Sequence, residues 1–377
     1  MYQLYYLESA FVGFPFLIKI IIILSILIVL IYISSIINIL FIAKGRKKIE
    51  NRKKLIRSNY EQKLTEILFN PKNLTQSTIR SELITNEIEF KDWSKVFLTK
   101  LIFEIISKKM DLNINNYKET LKALDLPSYW EEQLRNKNIK DESIALRILD
   151  DMSEEASSNA ISNKTISQNK NLRKHAKSIF MKFDSNDAFK FLEDDFDEDF
   201  NPLDAIRIHD SLKDKSKSKS LPPLIRYAHS AKNKFYIAFL IKEIGFFKQI
   251  DSVDTLIDMF QEPKTEDVVK AQIAETLGVL KYEPAIPILI DGYDFGSTET
   301  QSSILFSLGE LGGEKSIEFL SKLYYETHNK EIIIKILQNL HLIDKNKTTF
   351  NKLKSSASTD FEKSIFDYID KGHSVRK

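Results

Sequence analysis

Cysteine is absent from the 377 residues. Its absence excludes a disulfide scaffold, an iron–sulfur centre, a thiolate zinc site and a cysteine nucleophile. It also fits a body that faces the cytosol. A surplus of one charge is missing as well: 55 Lys and Arg stand against 53 Asp and Glu, a net of +2. Taken as an average, that gives no strong pull on nucleic acid. Beyond residue 58 no stretch alternates with period two and no βαβ pattern occurs, so no sheet is expected. P-loop, GxSxG and HExxH motifs are missing. What is present, 43% hydrophobic and 29% charged residues, is too apolar for a wholly disordered chain. The length allows about two to three compact domains or one elongated array.

The apolar residues are not evenly spread. Ile20 to Ala43 reads IIIILSILIVLIYISSIINILFIA, 24 residues without a charge. As a helix it would extend about 36 Å at ~1.5 Å per residue, enough for a hydrocarbon core of ~30 Å. A buried core helix is usually shorter and amphipathic. A cleaved signal peptide would carry its basic residues before the run, not after it. The run is followed by KGRKKIENRKKLIR, whose Lys44, Arg46, Lys47, Lys48, Arg52, Lys53, Lys54 and Arg57 face a single acid, Glu50. Positive flanks stay cytoplasmic, so the N-terminus is expected outside and the C-terminal body in the cytoplasm. Tyr2, Tyr5, Tyr6, Phe11, Phe14 and Phe16 read as an interfacial aromatic lead-in, with Lys19 snorkelling to the outer headgroups. The basic flank reads first as a stop-transfer signal and second as a site for anionic lipid.

This segregation changes the meaning of the net charge. Residues 1–57 hold nine basic and two acidic residues, a net of +7; the other 46 basic and 51 acidic residues give the body −5. An acidic body argues against nucleic acid as its partner.

Within the body one short pattern recurs. ALRILDDM starts at Ala145, AKSIFMKF at Ala176, AIRIHDSL at Ala205 and IKEIGFFK at Ile241; AETLGVLK follows at Ala274, LFSLGELG at Leu305 and LQNLHLID at Leu337. The fourth position is always Ile or Leu: Ile148, Ile179, Ile208, Ile244, Leu277, Leu308 and Leu340. The spacings are 31, 29, 36, 33, 31 and 32 residues, and a period near ~30 marks a helical repeat array. Each such helix buries its stripe only by stacking on its neighbours. Gly245, Gly278 and Gly309 recur at the fifth position. A mid-helix glycine costs about 1 kcal/mol, so its recurrence in register points to a close helix approach or a helix end. Second helices are expected between the pattern helices, at 251–261, 282–293 and 314–326, with start signals at Asp251, Thr265 and Ser297.

EDVVKAQIAETLGVLKYEPAIPILIDGY and TQSSILFSLGELGGEKSIEFLSKLY resemble HEAT-like repeats of the short bacterial kind also found in phycobilisome-lyase (PBS-lyase) relatives. The resemblance is strong over 230–343 and weaker over 137–229. The whole layout resembles bacterial membrane-anchored HEAT repeat domain-containing proteins, with LKALDLPSYWEEQLRNKN, Leu121 to Asn138, as the entry to the array. The sequence departs from the pattern where His341 replaces the glycine, in the early units that lack it, and at the insertion LKDKSKSKSLPP (212–223), read as a solvated loop.

The resemblance implies an all-α chain: a single N-terminal transmembrane helix followed by an α-solenoid of about seven HEAT-like helical hairpins. The expected divisions are an extracytoplasmic or interfacial segment 1–19, a transmembrane helix 20–43, a basic juxtamembrane helix 44–69, an N-terminal helical cap 70–136, the solenoid 137–357 and a capping helix with tail 358–377. The expected function is a non-catalytic scaffold that holds a protein partner at the cytoplasmic face, with exposed second-helix residues such as Glu318, Lys322 and Tyr325 as candidate contacts. In some members of the group the resemblance suggests a link to envelope glycan or exopolysaccharide synthesis. The alternative is a HEAT-type enzyme or enzyme subunit, lyase-like or hydroxylase-like. No catalytic, cofactor or metal residue is assigned, and neither nucleic acid nor a small molecule is expected as ligand. His175, His209, His229, His328, His341 and His373 form no metal-binding motif, and His209-Asp210 reads as a structural pair. The acidic run EDDFDEDF (193–200) lacks the mid-loop glycine of a calcium loop. It reads as a solvated turn, or as a docking patch for a basic partner.

Overall fold

The computed structural model describes residues 11, 15–84, 91–108, 111–135, 139–152, 158–184, 186–193 and 195–371. Among them are nineteen α-helices, three short 3₁₀ turns and no strand. Tyr2, Tyr5, Tyr6, Phe14 and His373 lie outside the described residues. The chain divides into two compact units, Met1–Glu132 and Gln133–Lys377, four residues short of the boundary expected at 136.

The first unit is built on one continuous helix, α1, Phe16–Leu68, 53 residues long. At ~1.5 Å per residue it measures about 80 Å. The divisions expected at 19/20 and 43/44 therefore fall inside a single helix. Its apolar part is long and apolar enough to cross a membrane by length and composition, and none of that window is buried. Burial begins only at its far end, where Ile56, Tyr60, Leu64, Ile67 and Leu68 form an i, i+4 stripe. The helices α2 (Gln76–Leu83), α3 (Asp92–Ser107) and α4 (Ile114–Ala123) pack on α1, and α2 packs on α4. The helix α5 (Leu126–Arg135) follows and brings in Trp130, whose Nε1 donates to Thr99 Oγ1 at 2.9 Å.

One buried asparagine holds the end of α1. Asn116 Nδ2 donates to the Ile67 carbonyl at 3.0 Å and the Lys72 carbonyl at 2.9 Å, while its Oδ1 accepts from the Leu74 amide at 2.7 Å. The last carbonyls of a helix have no partner inside it. Here a side chain from α4 supplies one.

In the second unit the seven pattern segments all lie on helices: α6 (Ile139–Met152), α8 (Lys170–Phe183), α9 (Pro202–Ser216), α11 (Lys234–Phe246), α13 (Asp267–Val279), α15 (Thr298–Leu311) and α17 (Lys330–Ile343). Between or after them come α7 (Ser158–Ser162), α10 (Leu224–Ser230), α12 (Val253–Gln261), α14 (Ile286–Asp291), α16 (Glu314–Glu326), α18 (Thr348–Ser356) and α19 (Asp360–Asp370). Each pattern helix packs on the next, from α6 through α8, α9, α11, α13 and α15 to α17, which meets α19. The shorter helices α10, α12, α14 and α16 each lie against the pattern helix that follows, and α14, α16 and α18 touch in turn.

Four local features differ from the sequence reading. Among the described residues between α8 and α9 there is no second α-helix, only the 3₁₀ turn Lys190–Leu192 and the acidic run. The hairpin pattern is incomplete there. The first five residues of the 212–223 insertion are helical, because α9 continues to Ser216; Leu212 is fully buried and Lys215 Nζ donates to the Asp184 carbonyl at 2.6 Å. The start expected at Asp251 is a 3₁₀ turn, Ile250–Ser252, that delays α12, and α13 begins after Glu266 rather than Thr265. Ser297 does cap α15, accepting from the Thr300 amide at 3.3 Å.

Candidate functional site

The pattern residues line the interior of the second unit. Ala145, Ile148, Ala176, Ile179, Ile208, Ile241, Ile244, Ala274, Leu277, Leu305, Leu308, Leu337 and Leu340 are buried, as are Gly245, Gly278 and Gly309. Ala205 is half-buried.

The glycines mark where one pattern helix presses on the next. A Cβ on Gly278 would lie 2.8 Å from Ser307 Cα, one on Gly245 would lie 3.3 Å from Thr276 Cγ2, and one on Gly309 would lie 2.6 Å from Asn339 Cγ. In each case the facing residue is polar and stands at the third pattern position. It reaches across to a backbone carbonyl at the first position of the preceding helix. Thr276 Oγ1 donates to the Ile241 carbonyl at 3.1 Å, Ser307 Oγ to the Ala274 carbonyl, and Asn339 Nδ2 to the Leu305 carbonyl at 2.6 Å. A small fifth residue thus lets a polar third residue close a hydrogen bond between helices. Sequence reading found the glycines and missed their partners; the signal was a Thr, Ser or Asn directly before the buried Leu at three consecutive repeats.

One step earlier the same register holds a histidine–carboxyl pair. The fifth residue of α9 is His209 and the third of α11 is Glu243, and His209 Nδ1 lies 2.8 Å from Glu243 Oε2. Burial pushes the Glu243 carboxyl up, with His209 opposing. The imidazole meets the Phe246 ring edge-on at 4.6 Å and lies over Phe247 at 6.3 Å. The His209-Asp210 dipeptide is therefore not the operative pair; the partner lies on the next pattern helix.

Positions two and six of the pattern helices, i and i+4 on one face, point away from these contacts. They expose Phe246 (53%), Val279 (49%), Phe306 (39%) and Leu342 (52%). Polar groups accompany this apolar row: Lys281 pairs with Glu310 at 2.5 Å, and Ser303 Oγ donates to Glu275 at 3.0 Å.

The acidic run is partly engaged inside the chain, while Glu193, Glu198 and Asp199 stay exposed. Arg173, Lys174, Lys177 and Lys170 stand on α8 at helical spacing. Arg173 grips Asp197 with two bonds of 2.8 and 2.7 Å, and Lys177 adds a third at 3.1 Å. Lys170 pairs with Asp199 at 2.5 Å, and Lys174 reaches buried Asp204 at 2.7 Å. Burial disfavours the charge on Asp197, but the Arg173 and Lys177 bonds outweigh it and hold the carboxyl far below its usual range. Asp195 Oδ1 accepts from the Lys232 and Asn233 amides at 2.8 and 3.1 Å, tying the run to the start of α11. The cations that a calcium-like run would need are supplied by side chains.

The other described histidines have separate surroundings. His175 lies 3.3 Å from Asp150, His341 is 2.9 Å from Lys347 and edge-on to Phe350, and His229 and His328 are exposed. Among the described residues no group of three or more His, Asp or Glu could hold a metal ion.

The basic flank of α1 divides in two. Arg52 stacks on the Trp93 ring at 4.7 Å, Lys54 pairs with Glu50 at 3.7 Å, and Arg57 pairs with Glu61 at 3.3 Å and with Glu104. Lys44, Arg46, Lys47, Lys48 and Lys53 are exposed and have no ion pair among the described residues. In comparisons with known proteins, no family model and no curated protein matches this chain.

Proposed function

We propose that the protein is a non-catalytic scaffold of HEAT-like repeats, anchored by the apolar part of α1 in a bacterial inner membrane, and that its Gln133–Lys377 unit docks a protein partner in the cytoplasm. The observation that carries this reading is the row Phe246, Val279, Phe306 and Leu342, exposed in step on four successive pattern helices. A row of large apolar side chains at positions two or six of successive pattern helices is an uncommon thing to leave in water and suits a partner surface. The anchor is supported by the unburied apolar window of α1 and its orientation by the basic residues that follow it.

The docking surface in this reading lies on the pattern helices, where the exposed apolar row stands, and not around Glu318, Lys322 and Tyr325 on α16. Tethering the partner to a membrane raises its local concentration without new contacts.

The test is a photo-crosslinking amino acid placed at Phe306, at Leu342 or at Tyr325 in the full chain in native membranes. The reading expects one common protein adduct from the first two positions and none from Tyr325. No adduct at Phe306 and Leu342, or one from Tyr325 alone, would overturn it.

A further inference from the structure

The basic flank divides by position, with exposed Lys53 as the exception. Arg52, Lys54 and Arg57, at the far end of the flank, have partners on α1 or α3. Lys44, Arg46, Lys47 and Lys48, next to the apolar run, are exposed without one among the described residues. From these residues we infer that Lys44, Arg46, Lys47 and Lys48 form a collar that binds the phosphate headgroups of anionic phospholipid in the cytoplasmic leaflet. The inference rests on α1 crossing the membrane, as proposed above.

Three pieces of geometry identify a lipid surface. The first is height. Lys44 to Lys48 spans about 6 Å along the helix axis at ~1.5 Å per residue. That matches the headgroup layer of one leaflet, about 5–7 Å beyond a ~30 Å hydrocarbon core. The second is direction. At about 100° per residue the four side chains leave the helix at roughly 0°, 200°, 300° and 40°. They cover more than half of its circumference. An acidic protein or a nucleic acid would be met by a stripe on one side, whereas lipid surrounds a spanning helix. The third is continuity. The collar follows the exposed apolar residues Leu40, Phe41 and Ile42 directly on the same helix, so its depth is fixed by theirs. Lys and Arg stems can lie along the acyl boundary while their charged ends reach the phosphates.

The experiment uses the full chain in nanodiscs of phosphatidylcholine with phosphatidylglycerol as a minor component. Lipid retained on the protein after detergent extraction is measured by native mass spectrometry. The expected result is a preference for phosphatidylglycerol on the order of tenfold, weakened by salt. A variant with Lys44, Arg46, Lys47 and Lys48 all changed to Gln should lose it. A control with Lys213, Lys219, Lys315 and Lys352 changed to Gln, which removes the same charge from the exposed surface of the other unit, should keep it. Equal retention of the two lipids, or a preference that survives in the collar variant, would overturn the proposal while leaving the anchor reading intact. Salt-sensitive binding of DNA or of an acidic protein to discs of phosphatidylcholine alone, without lipid preference, would assign the collar to another polyanion. Failure of the chain to enter either disc would instead count against the membrane span itself.

Discussion

Gly278 and Ser307 are in backbone contact: a Cβ on Gly278 would lie 2.8 Å from Ser307 Cα and 2.7 Å from its Oγ. The Oγ can rotate away, but the Cα cannot step aside without moving α15. Gly278→Ala would gain about 1 kcal/mol in helix propensity but meet an overpacking cost of ~1–3 kcal/mol, so a net loss is expected. Gly45, in the basic flank, has nothing within 4 Å of such a Cβ. Gly45→Ala should therefore leave stability unchanged or raise it. Thermal unfolding of the two full-length variants in the same detergent checks the pair. Equal melting temperatures would mean that the Gly278 contact is looser than the geometry implies.

Gly309 gives a sharper form of the same test. Its hypothetical Cβ meets side-chain atoms of Asn339, Cγ at 2.6 Å and Cβ at 3.2 Å, where that of Gly278 meets backbone. Gly309→Ala alone should destabilise the chain. In an Asn339→Ala background most of that cost should disappear, a coupling on the order of 1 kcal/mol. A double-mutant cycle by chemical unfolding measures it, and strict additivity would refute the contact.

Much of this interior could be read before the structure. Apolar residues at the first and fourth pattern positions announce buried helices, and a glycine repeated in register has few explanations. Thr276, Ser307 and Asn339 were missed because a polar residue in a helix looks the same whether it faces water or a neighbouring carbonyl. Only the facing backbone, some thirty residues away in sequence, decides. The acidic run was legible only in part, for a related reason. Read alone, 193–200 is a solvated turn; the partners that bury Asp197, Arg173 and Lys177, lie on α8, outside any local window. Helix starts at α12 and α13 shifted because a 3₁₀ turn or a neighbouring acid took the place of the expected cap. The split of the basic flank depended on Trp93 and Glu104 of α3, which carry no sequence mark of that role.

The latch at Asn116 should be sensitive to truncation. Asn116→Ala removes the donor to the Ile67 and Lys72 carbonyls and the acceptor for the Leu74 amide, all at a fully buried side chain. A buried polar group left unpaired costs about 1–3 kcal/mol, so a clear drop in melting temperature is expected. Proteolysis should also start within residues 70–75, where the released chain leaves the end of α1. Cleavage elsewhere with 70–75 intact would show that other contacts hold this turn.

Two buried carboxylates should respond to pH with opposite sign. Asp197 has a folded pKa below its unfolded value, because the Arg173 and Lys177 bonds outweigh burial. Its contribution is complete above the ordinary carboxylate range of about 4 and is lost as pH falls further. Glu243 is shifted upward by burial, with His209 opposing. Its contribution is complete below about 4 and declines as pH rises through the raised folded value. Asp197→Asn should therefore be less stable than the parent at pH 7, on the order of 3 kcal/mol for breaking a buried pair, with the gap closing in acid. Glu243→Gln should match the parent near pH 4 and become the more stable of the two toward pH 7. Denaturant unfolding of the three full-length chains across this range decides both. A Glu243→Gln difference that does not change with pH would mean that His209 fully offsets the burial of the carboxylate.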